Sequence, residues 1–337
     1  MNSASIEDVA RLAGVSIATV SRSLRGLPEV APATRARVLE AARELDYVAS
    51  PFAARLASGR TSTVGVVVPF VNRWFFAEVL GAIQKVLAAA ESDLLLFNLD
   101  DPEGRTAFFR DLPVRKRVDS VVIVSLTLSE NENEAIRSIG VPIGLVGSAS
   151  PGFDSVGIDD VASAEMAVDH LVAMGHERIG LIGGDTDDPM RFTPPLHRRD
   201  GYVNALKRAD IEPDPTLEAL GYFTVDGGES AMQVILGRSD RPTAVFAESD
   251  EMAFGAIRAI RRAGLSVGQD IAVIGFDDHA SASLLDLSTV HQPVAAQGAV
   301  IAEAVLRAAV VGQSTGATVL PTELVVRGST DPAASVY

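Results

Sequence analysis

The sequence IEDVARLAGVSIATVSR, residues 6–22, predicts the structure of the N-terminal region. Ser5 precedes an apolar pattern of helical spacing and stands three residues before Asp8, which is the arrangement of a capping box. Gly14 then allows a left-handed turn, because a residue without Cβ adopts positive φ at little cost. Ser16 is suited to cap the helix that follows. The stretch therefore predicts two short helices joined by a tight turn.

A third helix is expected to complete this region. Gly26 is suited to end the second helix, and Pro32 stands at the favoured first position of another helix. The residues expected in the shared core are Val9, Val20, Val38, Leu39, Ala42 and Leu45. Three helices without a strand predict an all-α helix-turn-helix headpiece over residues 1–47. Residues 48–60 follow as a hinge, in which Ser50 and Pro51 favour a helix of barely two turns.

From Thr63 onward, short β-branched strands alternate with helices, which predicts right-handed βαβ units and parallel sheets. The pattern restarts after Asp160, so the body over residues 61–337 is predicted to hold two doubly wound lobes. The expected N-lobe covers about 61–160 plus 291–321, and the expected C-lobe covers about 161–290 plus 322–337. In such sheets ligands bind beyond the carboxyl ends of the strands. Residues just after each strand are therefore the candidates for a binding site.

The amino-acid composition and the charge distribution exclude some kinds of site and indicate others. The 337 residues include no cysteine, which excludes disulfides and thiolate metal sites. The net charge is −15, yet residues 1–60 hold eight arginines against six acids, so the headpiece and hinge together are slightly basic within an acidic chain. We find no run of about 18 apolar residues and no signal-peptide pattern at Met1–Asp8, so we expect a cytoplasmic protein without a membrane span.

Residues 6–22 resemble the helix-turn-helix of the LacI/GalR family of bacterial repressors. The similarity continues through residues 30–35, 38–47, 175–180 and 274–278. The resemblance implies a sequence-specific DNA-binding transcriptional regulator, a repressor of carbohydrate-related genes that acts as a homodimer. It also implies a body like that of periplasmic binding proteins, with a small-molecule effector, a sugar by resemblance, between the lobes. A purine-type effector is the alternative.

The second helix is expected to enter the major groove of operator DNA. Ile17 and Ala18 have no hydrogen-bonding side chain, so their contacts would be apolar, for example with thymine methyls. Arg22 is suited to bind guanine through two hydrogen bonds, and its alternative is a solvated helix-face charge. Three hydroxyl residues suit phosphate contacts: Ser16, Thr19 and Ser21. In the hinge, the resemblance implies that Leu56 wedges into the minor groove, whereas packing against the body is the alternative. The hinge departs from the family at Ala49-Ser50-Pro51, where Pro-Asn is usual.

Eight body residues are candidates for effector binding. The resemblance implies that Arg198 and Asp277 lie in the cleft, with a structural ion pair as the alternative for both. Asp250 is as well suited to cap a helix as to bind ligand. The remaining candidates follow predicted strands or supply an apolar wall for a sugar ring: Asn72, Trp74, Phe75, Ser249 and Gln292.

Two other functional classes fit the body alone. One is an enzyme of similar α/β architecture, and the other is a transport-type binding protein. The sequence has no glycine-rich nucleotide fingerprint, and Asp277-Asp278-His279 are too close in sequence to converge on a metal, so neither a cofactor nor a metal is expected. Deleting residues 1–60 separates these classes, because a regulator would lose DNA binding and keep effector binding, whereas an enzyme would keep its turnover.

Overall fold

A computed structural model describes residues 4–24, 26–47 and 60–331. The chain divides into two compact units, residues 1–62 and 63–337, which are described separately below. We call the first unit the headpiece and the second the body.

Over its described residues, 4–24 and 26–47, the headpiece has the three predicted helices: α1 Ile6–Ala13, α2 Ile17–Leu24 and α3 Pro32–Glu44. The capping box is present, since the Ser5 hydroxyl accepts the Asp8 amide at 3.3 Å and the Asp8 carboxylate accepts the Ser5 amide at 3.0 Å. Gly14 has φ 62°, which confirms the left-handed turn. Ser16 caps α2 by accepting the Thr19 amide at 3.2 Å. Short-range hydrogen bonds therefore define the helix-turn-helix.

The headpiece core is formed by Val9, Val20 and Val38, which are fully buried, together with small alanines. The expectation for Leu39 was wrong, because its side chain is 44% exposed. Ala41 is buried instead. Positions 38, 41, 42 and 45 have the spacing i, i+3, i+4 and i+7, so they lie on one face of the helix. Position 39 lies about 100° away from position 38 around the helix axis and falls outside that face.

The body contains two six-stranded sheets. The first has the order β11-β5-β4-β3-β1-β2, and its strands are β1 Thr63–Val68, β2 Asp93–Asn98, β3 Ser120–Val124, β4 Ile143–Val146, β5 Asp154–Gly157 and β11 Ala317–Val319. The second has the order β12-β10-β9-β8-β6-β7, and its strands are β6 Ile179–Gly183, β7 Glu218–Leu220, β8 Ala244–Ala247, β9 Ala272–Asp277, β10 Ser288–His291 and β12 Glu323–Val325. Adjacent strands are parallel except β12, which runs antiparallel to β10.

Helices cover both faces of each sheet, and we call each sheet with its helices a lobe. The first lobe has α4 Trp74–Ala89, α5 Pro102–Asp111, α6 Glu130–Arg137 and α11 Val294–Val311. The second lobe has α7 Asp160–Ala173, α8 Pro194–Arg208, α9 Val225–Leu236 and α10 Asp250–Arg262. Successive residues of β1 point to opposite faces, so Val66 and Val67 belong to different apolar clusters. The two-lobed α/β body is thus as predicted.

Several elements were not predicted from the sequence. Strands β5, β7, β10 and β11 are only three or four residues long, and helices α5, α6 and α9 are polar or rich in glycine. Within the described body the chain passes between the lobes three times, after β5, after β10 and after β11.

Helix α11 is long and apolar enough to be considered for a membrane span, although Gln297, Glu303 and Arg307 interrupt its apolar residues. Its 18 residues have a mean hydropathy of 1.7, which meets the requirement by length and composition. In the structure, α11 packs against α4 and strands β3, β4 and β5. Ile301, Ala302 and Val305 are buried in the apolar cluster of that lobe. Here the helix contributes to the core of the first lobe.

Candidate functional site

A cleft lies where the carboxyl ends of the two sheets face each other. Ser125, Gly147 and Ile158 directly follow β3, β4 and β5 and line one side of it. Asp277 ends β9, and Gln292 directly follows β10, on the other side. The cleft has about 560 Å³ of space free of protein atoms, counted out to its opening. This is the position at which doubly wound sheets bind small molecules.

Aromatic rings form an apolar wall of the cleft. Phe75 and Phe76 come from α4 in the first lobe, with ring centroids 5.4 Å apart. Phe192 and Phe223 come from the second lobe, with centroids 5.2 Å apart. Phe192 also approaches Phe76, at 6.4 Å. The two lobes therefore contribute to one aromatic surface, which suits the flat apolar face of a ring-shaped ligand.

Arg198 is the central cation of the cleft and is only 5% exposed. Its Nε donates to the Asp160 carboxylate at 2.9 Å, and its Nη1 lies 3.7 Å from the Asp277 carboxylate. The guanidinium also stacks on the ring of Phe276, at 3.6 Å from the ring centroid. Arg198 therefore lines the cleft and is also ion-paired, so the two alternatives considered for it coexist. The pairing fixes the guanidinium plane at the edge of the free space.

Asp277 is held by a short chain of hydrogen bonds that links the two lobes. Gln292 donates to Asp277 at 2.5 Å, and Gln297 of α11 donates to Gln292 at 3.1 Å. Burial raises the pKa of Asp277 to about 7, although Arg198 and the bond from Gln292 favour its charged form. Near neutral pH this carboxyl can thus accept hydrogen bonds as a carboxylate or donate one as an acid, which suits ligand hydroxyls.

Five of the eight candidates from the sequence line the cleft: Phe75, Arg198, Ser249, Asp277 and Gln292. Ser249 does so while it caps α10, since its hydroxyl accepts the Met252 amide at 3.3 Å. The structure does not place Asn72, Trp74 and Asp250 in the lining.

Each of these three residues has another environment. Asn72 is exposed. The Trp74 ring packs on His279 of the second lobe, with centroids 4.9 Å apart. Asp250 is fully buried at the start of α10, where it accepts hydrogen bonds from the Thr289 hydroxyl and the His279 amide, both at 2.7 Å. Its carboxylate therefore ties α10 to the loop after β9.

Other residues that line the cleft were not predicted from the sequence. Ser125 and Gly147 follow predicted strands and were available to the same rule that selected Ser249, whereas Ile158 follows β5, which was not predicted. Arg73 and Glu251 approach from opposite lobes, and Gln297 comes from α11. Phe192 and Phe223 lie on irregular segments, for which the sequence has no comparable signal. Among the residues that the structure describes, no three His, Cys, Asp or Glu side chains gather to hold a metal ion.

Glu248 lies behind the cleft and is 1% exposed. The Gly184 amide donates to its carboxylate at 2.9 Å. Burial raises its pKa to about 8, against the opposing effects of that amide and of Arg198. A carboxyl whose pKa is raised on folding stabilises the protein at low pH, and that stabilisation is lost as the pH rises through the folded pKa.

We therefore expect Glu248→Gln to remove a pH dependence of stability. The variant should gain free energy of unfolding relative to the parent between pH 4.5 and 8, by on the order of a few kcal/mol, because glutamine stays neutral. Urea unfolding at pH 5, 7 and 9 measures this difference. Glu177→Gln, at an exposed position, is the control. Parallel pH profiles for the parent and Glu248→Gln would contradict a buried neutral carboxyl.

The exposed face of α2 carries the residues predicted to read DNA. Ile17, Ala18 and Arg22 are exposed, and Ile17 is 46% exposed although it is apolar. Val20 faces the core on the opposite side. The Ser16 and Thr19 hydroxyls lie 2.9 Å apart and hydrogen-bond to each other at the start of the helix. Ser21 is half-buried, and Leu56 lies outside the described residues. An exposed isoleucine and an exposed arginine on one helix suit a helix that contacts base edges.

Known proteins are similar to both units of this chain. Residues 5–50 match the profile of bacterial regulatory proteins of the lacI family, and residues 168–330 match a periplasmic binding protein-like domain. The HTH-type transcriptional repressor CytR of Escherichia coli (strain K12) is 33% identical over 334 residues, which cover 97% of this chain and 96% of CytR. The ribose operon repressor of the same strain is 35% identical over 295 residues, covering 86% of this chain and 88% of that protein.

A solved structure also matches along nearly the whole length. The crystal structure of the Lac repressor dimer, bound to operator and the anti-inducer ONPF, has a TM-score of 0.87 and 28% identity. The match covers 98% of this chain and 99% of that one. These relatives thus match the helix-turn-helix headpiece and the two-lobed body of this chain together, in one protein. The chain belongs to the lacI family of bacterial regulatory proteins and is a DNA-binding transcriptional regulator.

Proposed function

We propose that this protein represses carbohydrate-related genes, binds a pseudo-palindromic operator as a homodimer, and is controlled by a sugar bound in the cleft. The observation that carries the sugar assignment is the division of the cleft into an aromatic wall and a polar edge. Phe75 and Phe192 offer ring faces, whereas Arg198, Asp277 and Gln292 offer donors and acceptors. A sugar has the same two-sided character, with apolar C–H faces and hydroxyls around the ring. Because the operator is chromosomal DNA, we place the protein in the cytoplasm.

A ligand screen tests the effector assignment. The full chain should show a rise in melting temperature with one or a few pentoses, hexoses or disaccharides, because a ligand that binds only the folded state stabilises it. Nucleobases and nucleosides belong in the same screen, since aromatic rings also stack on bases. A shift with these compounds alone would replace the sugar assignment by a purine or pyrimidine one.

Selection from a pool of random duplexes tests DNA recognition. The bound fraction should converge on one pseudo-palindromic sequence, and its affinity should change when the screened effector is added. Affinity should also fall steeply with salt, because a dimer makes many phosphate contacts. A pool that shows no preference in the presence or absence of effector would contradict the proposed operator binding.

The surface between α4 and α11 supports the homodimer. Its exposed groove is lined mainly by small or apolar residues: Ala77, Gly81, Ala82, Val86, Ala89, Ala295 and Ala299. Gly81 is exposed, and a Cβ built there meets nothing within 4 Å. Such a surface lets a second copy approach closely. We propose that the two copies pair here.

Gly81→Arg is expected to convert the dimer to a monomer without unfolding the chain. The added side chain has room in the single copy and improves helix propensity, but it would place a charge in the interface. Sedimentation velocity measures the state, and circular dichroism checks the fold. Asn204→Arg, on the exposed surface of α8, is the control and should stay dimeric. If both variants sediment as the parent does, the dimer surface lies elsewhere.

A further inference from the structure

Residues 184–193 join β6 to α8 in the second lobe but extend into the first lobe. At the start of the segment, Gly184 is hydrogen-bonded to Glu248 of the second lobe. Met190, in contrast, is 2% exposed and belongs to the apolar cluster of the first lobe, together with Phe109 and Leu126. The segment therefore makes a noncovalent connection between the lobes, in addition to the three covalent crossings.

Hydrogen bonds hold the end of this segment in the first lobe. Arg105, which is 4% exposed, donates to the Met190 carbonyl and, at 2.7 Å, to the Thr127 carbonyl. Glu132 fixes the same guanidinium through two bonds of 2.8 Å. The Thr127 amide donates to the Arg191 carbonyl at 3.3 Å. We call Arg105, Thr127 and Glu132, together with Phe109 and Leu126 of the apolar cluster that contains Met190, the socket.

The residues after Met190 return to the cleft. Arg191 has φ 54°, a left-handed conformation that is unfavourable for a residue with a side chain. Hydrogen bonds on both sides hold it there, since its amide donates to the Asp188 carbonyl at 2.7 Å and its carbonyl accepts from Thr127. Phe192 then packs against the apolar clusters of both lobes and lines the cleft. One short segment thus contacts the first-lobe core, the cleft and the second lobe.

We propose that residues 184–193 form a strap that holds the two lobes closed over the cleft, with Met190 in the socket as its fastening. When Met190 leaves the socket, Phe192 loses its position in the aromatic wall and the lobes can separate. The strap therefore controls access to the cleft and the retention of its ligand. That last step rests on the proposed function, because it takes the cleft as the effector site.

The molecule contains two reporters of this closure. Trp74 is the sole tryptophan of the chain, and its ring packs on His279 across the two lobes. Its accessibility to acrylamide reports whether the lobes stay together. Arg191 has an exposed side chain, but its backbone is bonded to the socket. Trypsin needs a freely accessible backbone, so cleavage after Arg191 reports release of the strap.

Met190→Ala in the full chain tests the proposal, and Met232→Ala is the control. Both changes remove a buried methionine, but Met232 lies within the core of the second lobe. We expect Met190→Ala to speed tryptic cleavage after Arg191 at least tenfold, measured by mass spectrometry, and to increase acrylamide quenching of Trp74. Met232→Ala should leave both close to the parent. Arg105→Lys is a second variant, because lysine keeps a charge beside Glu132 but lacks the fork that donates to two carbonyls. It should change both readouts in the same direction.

Equal cleavage in the two methionine variants would overturn the proposal, because the cleavage would then follow global stability. Faster cleavage without any change in Trp74 quenching would also overturn it, since the strap would not hold the lobes. Neither readout uses effector or DNA. A negative result for the strap would therefore not contradict the proposed regulatory function. Likewise, a failure to find an effector or an operator would not contradict the strap.

Discussion

Arg198→Ala is expected to abolish effector binding and to destabilise the body by about 3–5 kcal/mol at neutral pH. The change removes the cation that stands 2.9 Å from Asp160 and 3.7 Å from Asp277. Both carboxyls are largely buried, so neither regains full hydration when its partner is lost. The stacking of the guanidinium on Phe276 is lost as well. Urea unfolding measures the loss of stability, and the ligand-induced melting shift measures the loss of effector binding.

The pH dependence of this variant has a definite sign. The pKa of Asp277 is already raised to about 7 by burial, with Arg198 opposing the shift. Without Arg198 that pKa rises further, so the folded variant binds a proton that the unfolded chain releases. The stability deficit should therefore shrink as the pH falls from 8 to 5.

Arg199→Ala is the matched control. This neighbouring arginine pairs with Glu218 at 2.7 Å, but its side chain is 41% exposed. Exposed ion pairs contribute only about 0–1 kcal/mol, so this variant should keep most of its stability and its effector binding. Equal losses in the two variants would show that the cleft does not depend on Arg198 in particular.

Arg22→Ala is expected to weaken operator binding by about 1–3 kcal/mol per headpiece, or about 5- to 150-fold, a factor that is squared in a dimer. Arg22 lies on the exposed face of α2, next to Ile17 and Ala18. A guanidinium there can bind guanine through two hydrogen bonds, whereas Ile17 and Ala18 have no hydrogen-bonding side chain. Fluorescence anisotropy with the selected duplex measures the loss.

Two further variants separate base reading from simple charge. Arg22→Lys keeps the charge but loses the planar fork, so it should also lose discrimination at the contacted base pair. Arg43→Ala removes an exposed arginine that pairs with Glu40 on α3, and it should change affinity little. The slope of affinity against salt should stay nearly constant for Arg22→Lys. An Arg22→Ala variant that binds specific and random duplexes in the parent's ratio would exclude base reading by this residue.

The headpiece was predictable because its structure depends on neighbours in sequence. Ser5 and Asp8 satisfy each other's backbone amides within one turn, and Gly14 meets a local demand for positive φ. The mistake at Leu39 was one of helical periodicity, because positions 38, 41, 42 and 45 share the buried face of α3 and position 39 lies about 100° away from position 38. In the body, the strand-end rule correctly brought Ser249 and Asp277 to one cleft, because parallel strands end at the same edge, whereas Gln292 was predicted from its place near a crossover between the lobes.

Tertiary structure alone decided which of the neighbouring residues line the cleft. Asp250 stands one residue after Ser249, yet it is turned inward to Thr289 and His279, which lie about 30 to 40 residues away. Trp74 is one residue before Phe75, yet it packs on the opposite lobe outside the cleft. Met190 and Arg105 meet across 85 positions of sequence. Local propensities and periodicities determine helices, strands and turns, whereas contacts between residues so distant along the chain form only when the lobes have packed, and no local pattern encodes them.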